Sequence, residues 1–178
     1  MTALERRVFW LTGLPGAGKT TIAKALHRRL CQNNPSVVLL DGDQLREVLG
    51  EWAAGFGRHD RKRLAFVYAR LCRYLASQGL TVVCGTVSLF EDVRVWNRQN
   101  VPGYVELYVR APLAVLQERD QKSLYSRGEK GAVENVPGFD LAVELPSTPD
   151  FVLENDGSQS PEELVDALLN NMRGATQV

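Results

Sequence analysis

The chain of 178 residues has no excess charge of either sign: Lys and Arg total 21, and so do Asp and Glu. That balance excludes a broad basic surface for nucleic acid or for an anionic membrane, and leaves room only for local basic sites. No apolar stretch approaches the roughly 20 residues that a membrane-spanning helix needs. Cysteine is scarce, and Cys31, Cys72 and Cys84 are odd in number and widely spaced. A disulfide framework is thereby excluded, and no C-x-x-C pair or His spacing suggests zinc. The expectation is three buried or half-buried free thiols in a reducing, cytoplasmic compartment. Met1-Thr2-Ala3-Leu4-Glu5-Arg6-Arg7 leads straight into an apolar run and leaves no room for a signal peptide. No repeat or low-complexity tract is present. What remains is 44% hydrophobic and 24% charged, suited to a single globular domain over residues 1–178.

The most specific feature is Gly13-Leu14-Pro15-Gly16-Ala17-Gly18-Lys19-Thr20, a complete G-x-x-x-x-G-K-T loop. The apolar run Val8–Leu11 precedes it as a strand. A helix over Thr20–Leu30 follows, with Ile22, Ala23, Leu26 and Leu30 inward and Lys24, Arg28 and Arg29 outward. Strand, loop and helix in register are the context that this motif requires. The glycines let successive N–H groups surround a phosphate, and the helix start adds unpaired N–H groups with partial positive charge. Lys19 supplies a mobile cation for the β and γ oxygens, and the Thr20 hydroxyl is placed for Mg²⁺. The phosphate-binding set is thus Gly13 through Thr21. The competing reading, a glycine-rich turn that binds nothing, is weak against this context.

Strands at 8–11, 37–40, 81–85, 105–109 and 151–153 alternate with helices at 20–30, 62–77, 113–119 and 162–172. The second helix sets Leu64, Val67, Leu71 and Leu75 on one face, and Ser160 with Pro161 caps the last. The fold class is α/β, a mostly parallel five-stranded sheet flanked by helices, with the loop at the carboxyl end of its first strand. The polar stretch 120–149 breaks the alternation and reads as a mobile lid. Lys122, Arg127 and Lys130, interleaved with Tyr125 and Phe139, suit closure over phosphates; a disordered insertion is the alternative.

The second strand runs into Asp41-Gly42-Asp43, with Arg46 one turn on. In a parallel sheet that end faces the same crevice as the loop, so two carboxylates can serve Mg²⁺ and an incoming hydroxyl. Asp43 is assigned as the base or metal-side carboxylate, making Thr20 and Asp43 the metal pair, with Asp41 as neighbour. A turn with one Asp capping the next helix is the competing reading. In Gly55-Phe56-Gly57-Arg58-His59-Asp60-Arg61, Asp60 can cap the helix that follows, and Phe56 with Arg61 can clamp a planar or anionic acceptor. His59 reads as a solvent residue.

These residues together resemble the adenylylsulfate kinase family, which transfers the ATP γ-phosphate to the 3′-hydroxyl of adenosine 5′-phosphosulfate. The likeness runs through Trp10-Leu11-Thr12-Gly13-Leu14 and the loop, Leu40-Asp41-Gly42-Asp43 with Arg46, and Gly55-Phe56 with Asp60-Arg61. It continues through Glu118-Arg119-Asp120, Lys122, Leu124-Tyr125 and Gly131, and closes on Gly138, Asp140, Glu144, Pro146 and Pro149-Asp150. The resemblance implies a P-loop kinase fold, Mg²⁺ with ATP, and Asp43, Lys19 and Lys122 as catalytic residues, with Arg119 at the ATP site. It also implies that Arg46 and Arg61 hold the acceptor and Phe56 stacks on its base. Dimers are common in the family, which leaves a homodimer open for this chain.

The departures cluster on the acceptor side. Where the family has an Asn and an Arg, the chain has Leu64 and Phe66. Ser-Pro-Tyr-Arg reads Ser88-Leu89-Phe90-Glu91. The lid phenylalanine is Val136, for which Phe139 could substitute. The acceptor set is therefore Asp41, Asp43, Arg46, Phe56, Arg61, Leu64, Ser88, Lys122, Val136 and Phe139. Polar sites discriminate strongly, so these changes point to an altered acceptor. Adenosine 5′-phosphosulfate is the default, another nucleotide conjugate such as a cytidine diphosphoramidate comes second, and a small hydroxylated metabolite third. A GTPase switch would need Asn-Lys-x-Asp, which is missing. An inactive kinase is opposed by Lys19, Thr20, Asp43 and Arg46.

Overall fold

The computed structural model describes residues 7–119, 137–138 and 141–174. Five strands form one sheet in the order β2-β3-β1-β4-β5: β1 (Val8–Thr12), β2 (Val37–Asp41), β3 (Thr81–Gly85), β4 (Tyr104–Arg110) and β5 (Phe151–Glu154). All four pairings are parallel. The helices are α1 (Lys19–Cys31), α2 (Gly42–Leu49), α3 (Arg58–Ser77), α4 (Glu91–Asn100), α5 (Leu113–Arg119) and α6 (Pro161–Gly174). A 3₁₀ turn over Gly50–Ala53 joins α2 to the approach to α3. All five expected strands are present, whereas α2 and α4 escaped the periodicity argument. Each helix is short, and α4 is mixed, with Val93, Arg94 and Asn97 all buried.

Every residue of β1 is buried, as a central parallel strand covered on both faces requires. Alternate residues feed two cores. Phe9 and Leu11 pack with Ile22, Leu26, Leu107, Leu168 and Leu169 beneath α1 and α6. Val8 and Trp10 pack with Leu64, Tyr68, Cys72, Val82 and Val93 beneath α3 and α4. Each fully buried large side chain contributes about 1.5–3 kcal/mol relative to exposure, so β1 anchors the phosphate loop to the best-packed part of the molecule.

Helix ends follow local chemistry. Ser160 caps α6 as expected, and Glu163 completes a capping box: the Ser160 hydroxyl accepts from the Glu163 N–H at 3.2 Å, and Glu163 Oε2 accepts from the Ser160 N–H at 2.7 Å. Asp60 does not cap α3. The helix begins two residues earlier at Arg58 with Gly57 as its N-cap, and the Asp60 carboxylate lies over Gly55, where a Cβ would collide with it. The buried face of α3 also differs from expectation. Leu64, Ala65, Tyr68, Ala69, Cys72 and Ala76 face the sheet, while Val67, Leu71 and Leu75 flank it half-buried. Small alanines let the helix sit close to the strands, so the large apolar residues fall on its shoulders. Of the cysteines, Cys72 and Cys84 are buried and Cys31 is exposed, correcting its expected burial; none is in a disulfide. No helix among the described residues is long and apolar enough to cross a membrane.

Candidate active site

The loop from Gly13 to Gly18 links the carboxyl end of β1 to α1. Gly16 and Gly18 adopt φ of 78° and 95°, in the left-handed region that glycine enters without strain. Gly18 is the N-cap of α1 and offers no side-chain cap, so the first N–H groups of the helix stay available to an anion. Side chains are excluded on packing grounds as well: a Cβ on Gly13 would collide with the Val109 carbonyl, and one on Gly18 with the Asn155 amide.

Asn155 follows β5 and was not anticipated. It is buried, and its Nδ2 donates to the Ala17 carbonyl at 2.8 Å, while its own N–H donates to the Arg110 carbonyl at 2.7 Å. It thus fastens the loop to the far edge of the sheet across 138 positions. No local pattern announces such a contact. Arg119, at the end of α5, extends over the loop: its Nη1 lies 3.9 Å from where a Cβ on Gly18 would stand, and its Nη2 3.8 Å from the same point on Gly157. Gly138 closes from the other side, where a Cβ would collide with Leu14.

Lys19 is buried, and its Nζ donates to the Leu14 carbonyl at 2.7 Å, folding back over its own loop. Burial lowers its pKa from the ordinary 10.5 to about 7, opposed by the charges of Asp43 and, less strongly, Asp41. The loop therefore holds an ammonium short of counter-charge, and phosphate oxygens would supply it.

The end of β2 lies two strands from the loop, paired through Asp41 to Gly85 of β3. Asp41 is buried and caps α2, its Oδ1 accepting from the N–H groups of Asp43 at 3.1 Å and Gln44 at 3.3 Å. Its Oδ2 accepts from the Thr20 hydroxyl at 2.7 Å. The direct contact with Thr20 thus belongs to Asp41, the neighbour of the carboxylate expected on the metal. Asp43 sits exposed in the first turn of α2. The chain direction explains the difference: a capping Asp turns its carboxylate back toward the strand end, and the third residue of the turn points outward.

Beyond the carboxylates, two guanidinium groups lie against the Phe56 ring. Arg46 lies 4.5 Å and Arg61 5.5 Å from its ring centroid. Arg46 is fixed by the Ala53 carbonyl and by the Gly55 carbonyl at 3.1 Å, and Arg61 donates to the Phe56 carbonyl at 2.7 Å. Phe56 stays 54% exposed, so an apolar ring and two cations are presented together.

Two residues of the expected acceptor set, Leu64 and Ser88, lie elsewhere, as does Phe66. Leu64 is 4% exposed and belongs to the core beneath α3. Phe66 meets the Trp96 ring edge-on at 6.3 Å, beside a groove of about 530 Å³ between α3 and α4 that none of the loop residues lines. Two positions past Leu64 on a helix is the opposite side, which is why Phe66 turns toward α4. Ser88 is fully buried, so it does not line an open pocket. Its carbonyl accepts from Thr12 Oγ1 at 3.0 Å, and its hydroxyl has no partner among the described residues. Lys122, Val136 and Phe139, with most of the expected lid, lie outside the described residues.

The stretch just before β5 is tied down by Glu144. Its carboxylate accepts from Arg58 and from the Glu91 N–H at 2.6 Å, and its carbonyl from Arg94 at 2.7 Å. The Glu91 N–H and Arg58 hold this carboxyl below the usual range.

A five-stranded parallel sheet, a phosphate loop after its central strand, and carboxylates at the end of an edge strand on the same side define a P-loop kinase. Residues 5–154 match the family described as adenylylsulphate kinase, and the chain belongs to that family. The chain is 35% identical over 165 residues to a cytidine diphosphoramidate kinase of Campylobacter jejuni, covering 93% of this chain and 95% of that one. It is 40% identical over 154 residues to an adenylyl-sulfate kinase of Deinococcus deserti, covering 84% and 82%. Among solved structures, an APS kinase of Mycobacterium tuberculosis in complex with AMPPNP and APS superposes with a TM-score of 0.83 at 27% identity, covering 92% and 95%. The chain is accordingly an ATP-dependent phosphotransferase of the adenylylsulfate kinase type, acting on a hydroxyl group.

Proposed function

We propose that the chain transfers the γ-phosphate of ATP to the 3′-hydroxyl of a nucleotide conjugate bound over Phe56. The observation that carries this reading is the Phe56 ring flanked by Arg46 and Arg61, which suits a base with an anionic tail. In the transfer, the acceptor oxygen bonds to the γ-phosphorus as the bond to the β,γ-bridging oxygen breaks, and ADP leaves. Asp43 takes the acceptor proton, while Lys19 and the loop N–H groups hold the phosphates against developing charge.

Thr20 and Asp41 supply adjacent hard oxygens, and no cluster of three or more His, Cys, Asp or Glu among the described residues could hold a metal ion. These oxygens fit Mg²⁺, which takes most of its ligands from phosphates and water and would neutralise phosphate charge here.

Adenosine 5′-phosphosulfate is the acceptor suggested by the adenylyl-sulfate kinase relatives. Leu64 favours a second reading, a cytidine diphosphoramidate. It puts core packing where the family places a polar contact, and a kinase of that acceptor matches nearly the full length of the chain. An acceptor panel assayed with ATP separates the two. Turnover of adenosine 5′-phosphosulfate alone supports the first, and turnover of the cytidine conjugate alone supports the second. ADP release that no acceptor stimulates would sink both.

A further inference from the structure

We propose that Tyr68, in the middle of α3, is a positioning residue that holds Asp41-Gly42-Asp43 in place through the carbonyl between the two carboxylates. Its hydroxyl donates to the Gly42 carbonyl at 2.9 Å. Gly42 sits between the residue that meets Thr20 and the residue assigned to the acceptor proton, so fixing its carbonyl fixes the peptide plane that leads into Asp43. The opposite side is already tight: a Cβ on Gly42 would stand 3.2 Å from the Gly85 carbonyl and 3.3 Å from the Thr86 hydroxyl. The end of β3 thus bounds this turn from one side and Tyr68 from the other.

The chemistry of the position supports this role. Leu64, Tyr68 and Cys72 follow one another at helical spacing on the buried face of α3. Leu and Cys bring no strong hydrogen-bonding group. A phenylalanine would fill the same core as Tyr68, which is 3% exposed, so the hydroxyl is what tyrosine adds. Burial pushes its pKa up to about 12, Arg46 pulls it down, and Cys84, Asp43 and Asp41 push it further up. It therefore remains a donor at neutral pH, within electrostatic reach of both carboxylates and of the arginine beside Phe56. Leu64 brings no polar group to this face, and Tyr68 brings one a turn further along.

The kinetic consequence rests on the kinase reading; the geometric one does not. Tyr68→Phe tests both. Amide exchange at Asp43 and Gln44, whose N–H groups donate to Asp41, is expected to quicken several-fold with an unchanged melting temperature. With the acceptor that the panel identifies, kcat is expected to fall about tenfold, the weight of one hydrogen bond. Both KM values are expected to stay within about twofold. A lower melting temperature with kcat intact would show a merely structural tyrosine and overturn the proposal, as would unchanged exchange at Asp43 and Gln44. If the wild-type protein phosphorylates no acceptor, the kinase reading fails, and the exchange result still decides the role of Tyr68.

Discussion

The Thr20 hydroxyl donates to Oδ2 of Asp41 at 2.7 Å, so the first turn of α1 and the end of β2 meet at one point. The other oxygen of the same carboxylate caps α2. One side chain therefore serves the phosphate loop and the start of the acceptor side together. Asp41→Asn keeps an oxygen for the cap and removes the charge. It is expected to weaken Mg²⁺-dependent nucleotide binding with little change in stability, whereas Asp41→Ala also loses about 1 kcal/mol of capping. Titration calorimetry with and without Mg²⁺, paired with thermal melts, checks the separation. Equal stability loss in both variants would refute it.

Lys19 makes the nucleotide-free protein sensitive to pH. Its folded pKa of about 7 lies below the ordinary 10.5. Between these values the unfolded chain keeps a proton that the folded chain lacks. Stability therefore rises as pH climbs from about 7 toward 10.5, and the burial penalty is felt in full below 7. Bound phosphates restore the ammonium, so nucleotide binding is expected to take up a proton near pH 8.5 and to weaken as pH rises through that range. Calorimetry in buffers of different ionisation enthalpy measures the uptake, and its absence would contradict the burial argument.

Phe56→Ala removes the ring against which Arg46 and Arg61 lie. The expected outcome is an acceptor KM raised about tenfold or more with the KM for ATP unchanged, because the loop is built on other elements. A matched rise in both KM values would mean that Phe56 supports the fold of the site and not the acceptor.

Asn155→Ala unfastens the loop from β5 without touching any residue of the phosphate motif. One buried hydrogen bond is lost and the Ala17 carbonyl is left unsatisfied, a cost of about 1–3 kcal/mol. ADP affinity is expected to fall about tenfold as the loop loses its fixed shape. An unchanged dissociation constant would show that the glycines alone preorganise it.

Glu106 in β4 is 2% exposed and pairs with Arg98 at 2.8 Å and Arg94 at 3.4 Å, Arg94 being 3% exposed. Glu106→Leu leaves the buried Arg94 poorly compensated and is expected to destabilise the fold by about 3–5 kcal/mol. Urea denaturation measures this, and a loss below 1 kcal/mol would place the stabilising charges at Glu91 and Asp150 instead.

Much of the donor side was legible in the chain itself. Val8–Leu11, the loop and the inward row Ile22, Ala23, Leu26 and Leu30 are contiguous, and local sequence dictates their periodicity and backbone angles. The same holds for Ser160 beside Pro161 at the start of α6. The acceptor side was legible only as chemistry. Asp41, Asp43, Arg46, Phe56 and Arg61 could be named, but which carboxylate meets Thr20 depends on how β2 turns into α2. Leu64 and Phe66 looked like neighbours in one pocket, yet helical rotation sends one into the core and the other against Trp96. Asn155 and Tyr68 act on carbonyls 138 and 26 positions away, and nothing near them in sequence marks those partners.

By itself, then, the sequence determined the alternation of strands and helices, the phosphate loop with its Lys-Thr pair, and the family to which the chain belongs. These rest on short-range periodicity, glycine conformations and contiguous motifs. Only the tertiary structure decided that Asp41 rather than Asp43 meets Thr20, that Leu64 and Ser88 are sealed in the interior, and that Asn155 and Tyr68 brace the site. Those relations depend on which strands become neighbours and how each helix is rotated against the sheet, and both are settled by burial of the whole core.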